Sequence, residues 1–147
     1  MKMAGMGWSI VGVMLCAGIV GAAESRVKVT ADRVNLRARP VFESEVVCQA
    51  QTGDLLVPVS EEGDWQGVYA PTSAPVWVHS AFVTNGQVQT RLKIRGGPGI
   101  NFSSIGLLQK GESVVVRTTT GDWMQIEPST SCVLWIHKDY VKAETVE

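Results

Sequence analysis

The stretch that decides the fold occurs twice. Gly63-Asp64-Trp65, followed by Trp77-Val78-His79, returns as Gly121-Asp122-Trp123 and Trp135-Ile136-His137, each residue 58 positions after its counterpart. The same offset carries Arg37 onto Arg95, Pro40 onto Pro98, Gln51 onto Gln109, Gly53 onto Gly111, Thr72-Ser73 onto Thr130-Ser131 and Val83 onto Val141. Laid over each other without a gap, residues 34–83 and 92–141 agree at 13 of 50 positions. Several other pairs exchange like for like, as Leu36 with Ile94, Val47 with Ile105 and Phe82 with Tyr140. Self-similarity at a fixed period marks a repeated structural unit. A unit of ~60 residues buries only about 60% of the surface its unfolded chain exposes, which leaves little room for an enclosed catalytic cavity.

Within the first repeat the pattern is strand and turn. Val34, Leu36 and Ala38 alternate with polar residues, as in a half-buried strand that Arg39-Pro40 ends. Further strands are expected at 46–50, 55–60, 65–69 and 76–79, with turns at Gly53-Asp54 and Gly63-Asp64. Residues 27–33 read as a lead-in edge strand, and Ser80-Ala81-Phe82 as a single turn. Beyond residue 23 no window shows a sustained 3.6-residue apolar period, so no real helix is expected there. Five short strands in so small a unit would leave bare edges unless the sheet closed, so each repeat is expected to form a small barrel. Asn85-Gly86-Gln87 is a turn-forming link, short enough to hold the two units in contact. Gly96-Gly97 stands where the first repeat has Ala38-Arg39, so that loop is expected to be the more mobile of the two. The polar tail 142–147 is expected to fray.

Outside the repeats, Lys2, the apolar run Trp8 to Ala22, and small residues at Val20-Gly21-Ala22-Ala23 read as a signal peptide over 1–23. The competing reading is a retained membrane anchor, but the run falls short of the ~20 residues that span a bilayer. Cys16 raises lipid attachment, which Leu15 before it disfavours. An exported chain would be secreted or periplasmic, with no stable membrane span. The whole chain has 13 Lys+Arg against 14 Asp+Glu and no basic block, which argues against a nucleic-acid partner. After export two cysteines remain, Cys48 and Cys132. An oxidising compartment permits one bond between them, a staple across the repeats, with two inert thiols as the alternative.

The motifs together resemble the bacterial SH3-like (SH3b) domains. Asn35-Leu36-Arg37-Ala38-Arg39-Pro40 and Lys93-Ile94-Arg95-Gly96-Gly97-Pro98 are similar to the family's opening strand. Thr52-Gly53-Asp54 and Lys110-Gly111-Glu112 match its turn, and Gly63-Asp64-Trp65 and Gly121-Asp122-Trp123 its Gly-x-Trp. The closing Gly-Trp-Val appears as Val76-Trp77-Val78 and Leu134-Trp135-Ile136, with the glycine replaced in both copies. The resemblance implies an all-β chain with two SH3-like barrels in tandem, over 27–84 and 88–143. It also implies a non-catalytic module that binds cell-wall peptide or glycan. The alternative is an adaptor for a peptide of an envelope protein.

Chemistry in the residues points the same way. His79 and His137 are equivalent positions on separate repeats, and no spacing supplies the further ligands a zinc site needs, so neither metal nor cofactor is expected. No nucleophile, base and orienting group stand together, so the chain is not expected to be an enzyme. Trp65 and Trp123 follow tight turns and are expected at a rim. With Phe42 and Phe102 opposite, they would line a ligand trough; Ile100 lies on the same loop as Phe102. Trp77 and Trp135 sit between apolar strand residues and are expected to support the wall. Arg37 and Arg95, on the outward face of the first strand, would either meet a ligand carboxylate or fasten the following loop.

Overall fold

The computed structural model describes residues 24–146, so the expected signal peptide, with Cys16, lies outside the described residues. Among them the chain is strand and turn, with 3-10 turns at Ser80–Phe82 and Lys138–Tyr140. No described helix is long and apolar enough to cross a membrane. The strands are β1 (Glu24–Val29), β2 (Val34–Arg37), β3 (Val46–Ala50), β4 (Leu55–Leu56), β5 (Pro58–Glu62), β6 (Trp65–Tyr69), β7 (Val76–His79) and β8 (Val83–Thr84). The second half supplies β9 (Gln87–Val88), β10 (Leu92–Arg95), β11 (Ser104–Leu108), β12 (Val116–Thr120), β13 (Trp123–Ile126), β14 (Val133–His137) and β15 (Val141–Val146).

The repeats exchange their last strands. One five-stranded sheet runs β3-β2-β14-β6-β5 and the other β11-β10-β7-β13-β12. At the centre of the first sheet stands β14 from the second repeat, paired along β6 from Val133↔Tyr69 to His137↔Trp65. At the centre of the second stands β7 from the first repeat, paired along β13 from Trp123↔His79 to Ile126↔Val76. The cause lies in the link. Asn85 and Gly86 both take positive φ, 52° and 75°. Asn-Gly in that conformation makes a two-residue hairpin turn whose twist matches its strands. It pairs Val83 with Val88 and Thr84 with Gln87, which ties β8 to the lead-in of the second repeat. Only a 3-10 turn separates β7 from β8, so β7 stays with the second repeat as well. The first lead-in, β1, is left without β8 and takes β15 over six residue pairs. The tail expected to fray is therefore a strand through Val146.

Neither five-stranded sheet closes on itself: the first ends at β3 and β5, the second at β11 and β12. The two closed barrels expected from the strand count are not formed. The expected strand over 55–60 breaks at Val57, so that Leu55–Leu56 joins β1 while Pro58–Glu62 joins β6. Pro58 has no N–H to carry a ladder through that point.

The units meet around an approximate two-fold axis. Residues 58 apart come into contact there: Ser103 donates from its N–H and Oγ to the Glu45 carboxylate at 2.5 and 3.0 Å. A Cβ on Gly96 would lie 3.7 Å from that of Ala38 and 3.0 Å from Val47 Cγ2, so a second alanine would crowd the axis. Gly97 lies under the Phe102 ring, where a Cβ would approach to 2.4 Å. The bulk absent from Gly96-Gly97 is thus refilled by neighbours. Burial pushes the Glu45 carboxyl up, but the Ser103 and Ser44 donors outweigh it and hold it below its ordinary value.

One core spans both sheets, with Leu36, Val68, Val76, Val78, Ile94, Ile126, Leu134 and Ile136 all fully buried. Among the described residues Cys48 and Cys132 are free thiols, and the staple expected between them is absent. Each acts as a space filler instead. Cys132 fills the space over Gly106, where an added Cβ would come within 3.1 Å of its Sγ. In the 58-residue frame Cys48 stands for Gly106 and Ala74 for Cys132, so volume missing from one partner is supplied by the other.

Candidate functional site

Each unit carries an aromatic surface depression, and the two are made of equivalent positions. In both, the strand opening the unit supplies arginines and the Gly-Asp-Trp turn supplies an indole. The exchanged strand and its 3-10 turn supply a histidine and a second ring. The histidine therefore always comes from the other repeat.

The first depression, about 240 Å³, is lined by Arg33, Arg37, Phe42, Trp65, His137 and Tyr140, among others. Phe42 stacks on His137 at 5.5 Å between centroids and 22° between planes. Trp65 meets both edge-on, at 4.9 Å from Phe42 and 5.2 Å from His137. Such edge and offset contacts suit the ring quadrupoles. The His137 ring is fixed from below: its Nδ1 accepts the Asp139 N–H at 3.2 Å, capping the 3-10 turn. In the neutral ring a lone pair at Nδ1 puts the proton on Nε2, which is then a donor. Arg37 donates to the Ser44 carbonyl at 2.9 Å, and its Cζ lies 5.9 Å from the Phe42 ring centroid. It fastens the loop and supports the ring together. Asp32 also lines the depression. Hydrogen bonds from the Thr52 side chain and backbone N–H hold its carboxyl below the ordinary value.

The second depression, about 370 Å³, is lined by His79, Phe82, Arg91, Leu92, Lys93, Arg95, Ile100 and Trp123. His79 Nδ1 accepts the Ala81 N–H at 3.2 Å and its ring meets Trp123 edge-on at 5.2 Å. Arg95 donates to the Phe102 carbonyl at 2.9 Å, as Arg37 does to Ser44.

The sequence-derived site residues divide as follows. Phe42 and Trp65 meet, and Phe42 is 61% exposed, but Trp65 is 8% exposed and is a wall of the depression rather than a free rim. Trp123 is half-buried in the second depression. Phe102 lines neither, because it is folded onto Gly97 and Gly99, and Ile100 takes the place of Phe42. The ungapped frame already aligns Phe42 with Ile100 and Phe102 with Ser44, which is the signal that separates them. Trp77 and Trp135 are half-buried on the face opposite Val76, Val78, Leu134 and Ile136. The Trp135 ring lies over Gly67, where an added Cβ would sit 3.0 Å from it. His79, His137, Phe82 and Tyr140 belong to the depressions through the exchange, which sequence spacing does not display. No group of three or more His, Cys, Asp or Glu able to hold a metal occurs among the described residues.

Residues 90–142 match the bacterial SH3 domain family, one of non-catalytic binding modules. The match covers the second repeat; the first shows the same strand order through the 58-residue frame. Among curated proteins, the chain is similar to the "Putative N-acetylmuramoyl-L-alanine amidase YrvJ" of Bacillus subtilis (strain 168), at 24% identity over 137 residues. That alignment takes in 83% of this chain and 26% of the relative, so the chain spans about a quarter of its length. No solved structure gives a significant match.

Proposed function

We propose that the chain is an exported, non-catalytic module that binds cell-wall peptidoglycan through its two aromatic depressions. The observation that carries this reading is the duplication of one constellation on a single core. Indole, histidine and loop-fastening arginine recur at the same positions. Rings that present an apolar face and an N–H donor suit sugars and short peptides. The relative's name supports the wall as the target, since it describes an enzyme acting on an N-acetylmuramoyl-L-alanine bond. On this reading the chain supplies attachment and leaves chemistry to another polypeptide or domain.

The test is co-sedimentation with purified insoluble peptidoglycan, comparing wild type with F42A. Phe42 is mostly exposed, so its truncation leaves the core intact and removes the lid over His137. Loss of a well-placed aromatic contact at a binding surface costs upwards of ~1 kcal/mol, about fivefold or more in affinity. Wild type is expected in the pellet and F42A depleted from it, with unchanged thermal unfolding. Absence of wild type from the pellet defeats the wall reading, and capture of an envelope protein instead would favour the adaptor.

A further inference from the structure

We propose that the second depression is a site for an oxyanion, carboxylate or phosphate, carried on a small apolar or sugar body, and that the first is not. The argument is a comparison of equivalent positions. Arg33 and Arg37 become Arg91 and Arg95, so both depressions keep two guanidinium groups. Asn35 becomes Lys93, which adds an ammonium. Asp32, a carboxylate in the wall of the first depression, corresponds to Thr90. Tyr140 corresponds to Phe82, which removes a hydroxyl. The second depression is thus lined by three cations and no carboxylate. Neutral ligands would not need that set, and three like charges around one hollow repel one another unless an anion lies among them.

The geometry provides the space. In the first depression Phe42 stacks flat on the His137 ring; in the second its place is taken by Ile100, 75% exposed, and His79 is met only tilted by Phe82 at 5.5 Å and edge-on by Trp123. The hollow is the larger of the two, about 370 Å³. Among the described residues Arg91 and Lys93 form no salt bridge, so their charges are uncommitted. Arg95 spends one nitrogen on the Phe102 and Ile100 carbonyls and keeps the remainder of its fork. Trp123, Phe82 and Leu92 supply the apolar floor beside these donors. An oxyanion would sit toward Arg91 and Lys93, with its carbon body on the indole. This assignment does not depend on the wall as target: soluble probes can bind while peptidoglycan does not, and the reverse.

The experiment is titration of the full chain, followed by the indole N–H signals of Trp65 and Trp123 in two-dimensional NMR. The probes are N-acetylalanine against its neutral carboxamide, and glycerol 3-phosphate against glycerol. The anionic member of at least one pair is expected to shift Trp123 and leave Trp65 in place, and the neutral members to do neither. Which pair responds distinguishes a carboxylate source from a phosphate source. K93Q and R91Q, both at exposed positions, are expected to weaken the response about tenfold each, the loss of one charge-assisted hydrogen bond. Unchanged thermal unfolding of both variants shows that the fold is retained. Equal shifts by acid and amide, equal shifts at both indoles, no shift with either anion, or indifference to K93Q and R91Q would each overturn the assignment.

Discussion

At the residue scale, burial sets the behaviour of the two cysteines. Cys132 is fully buried against Gly106 and Ser129, and burial pushes its thiol up. Burial also pushes the Cys48 thiol up from 9.0 to about 11. A thiol raised in this way is neutral in the folded chain and unreactive, since thiolate is the nucleophile. The sign follows from linkage: the contribution of the neutral thiol is present below pH 9 and lost as pH rises through about 11. Melting temperature measured between pH 8 and 11 is expected to fall more steeply for wild type than for C48A. Equal slopes would mean that Cys48 titrates as it does in the unfolded chain. The same packing holds Cys132 against Gly106 and Cys48 against the core, each apart from the other.

At the element scale, the short hairpin at Asn85-Gly86 governs which repeat owns β7. Left-handed backbone costs a residue with a Cβ ~1–2 kcal/mol, and only glycine and, to a degree, asparagine adopt it readily. N85A/G86A places two alanines at φ 52° and 75°. The expected outcome is a loss of ~2–3 kcal/mol in urea unfolding, with the second depression weakened through displacement of His79 and Phe82. A stability within ~0.5 kcal/mol of wild type would show that the turn does not direct the exchange. The bulges behave as repeated features too. The register shifts at Leu36/Arg37 and again at Ile94/Arg95, and in both places turns an arginine toward the carbonyls of the next loop.

At the scale of the whole molecule, the exchange makes the two repeats one folding unit. Leu134 and Ile136 of the second repeat are fully buried at the centre of the first sheet, beside Leu36 and Val68. Burying two such side chains is worth ~1.5–3 kcal/mol each, a large part of the ~5–15 kcal/mol that holds a small protein folded. A fragment of residues 27–84 has its first four-strand set without β14 and carries β7 with nothing to pair it. It is expected to be unfolded by circular dichroism and proton NMR. The described chain is expected to melt in one cooperative transition by calorimetry. A folded, monomeric 27–84 fragment would show that β7 can return to its own repeat and that the exchange is dispensable.

The sequence by itself determined the repeat, its 58-residue period, the all-β class and the positions of most strands. Those features rest on local alternation, on turn residues and on a register that any ungapped comparison shows. It also determined that Val76, Val78, Leu134 and Ile136 share one face opposite the tryptophans. It did not determine which strand pairs with which. Strand pairing is fixed by nonlocal hydrogen bonds, and β7 and β14 are nearly the same strand, able by pattern to serve either sheet. Only the tertiary structure decided that they cross over, because a two-residue turn holds β8 against β9 and leaves β1 for β15. The open sheets and the paired tail follow from that arrangement. So does the membership of His79 and His137 in the depressions of the opposite repeats, since a side chain on an exchanged strand goes where the strand goes.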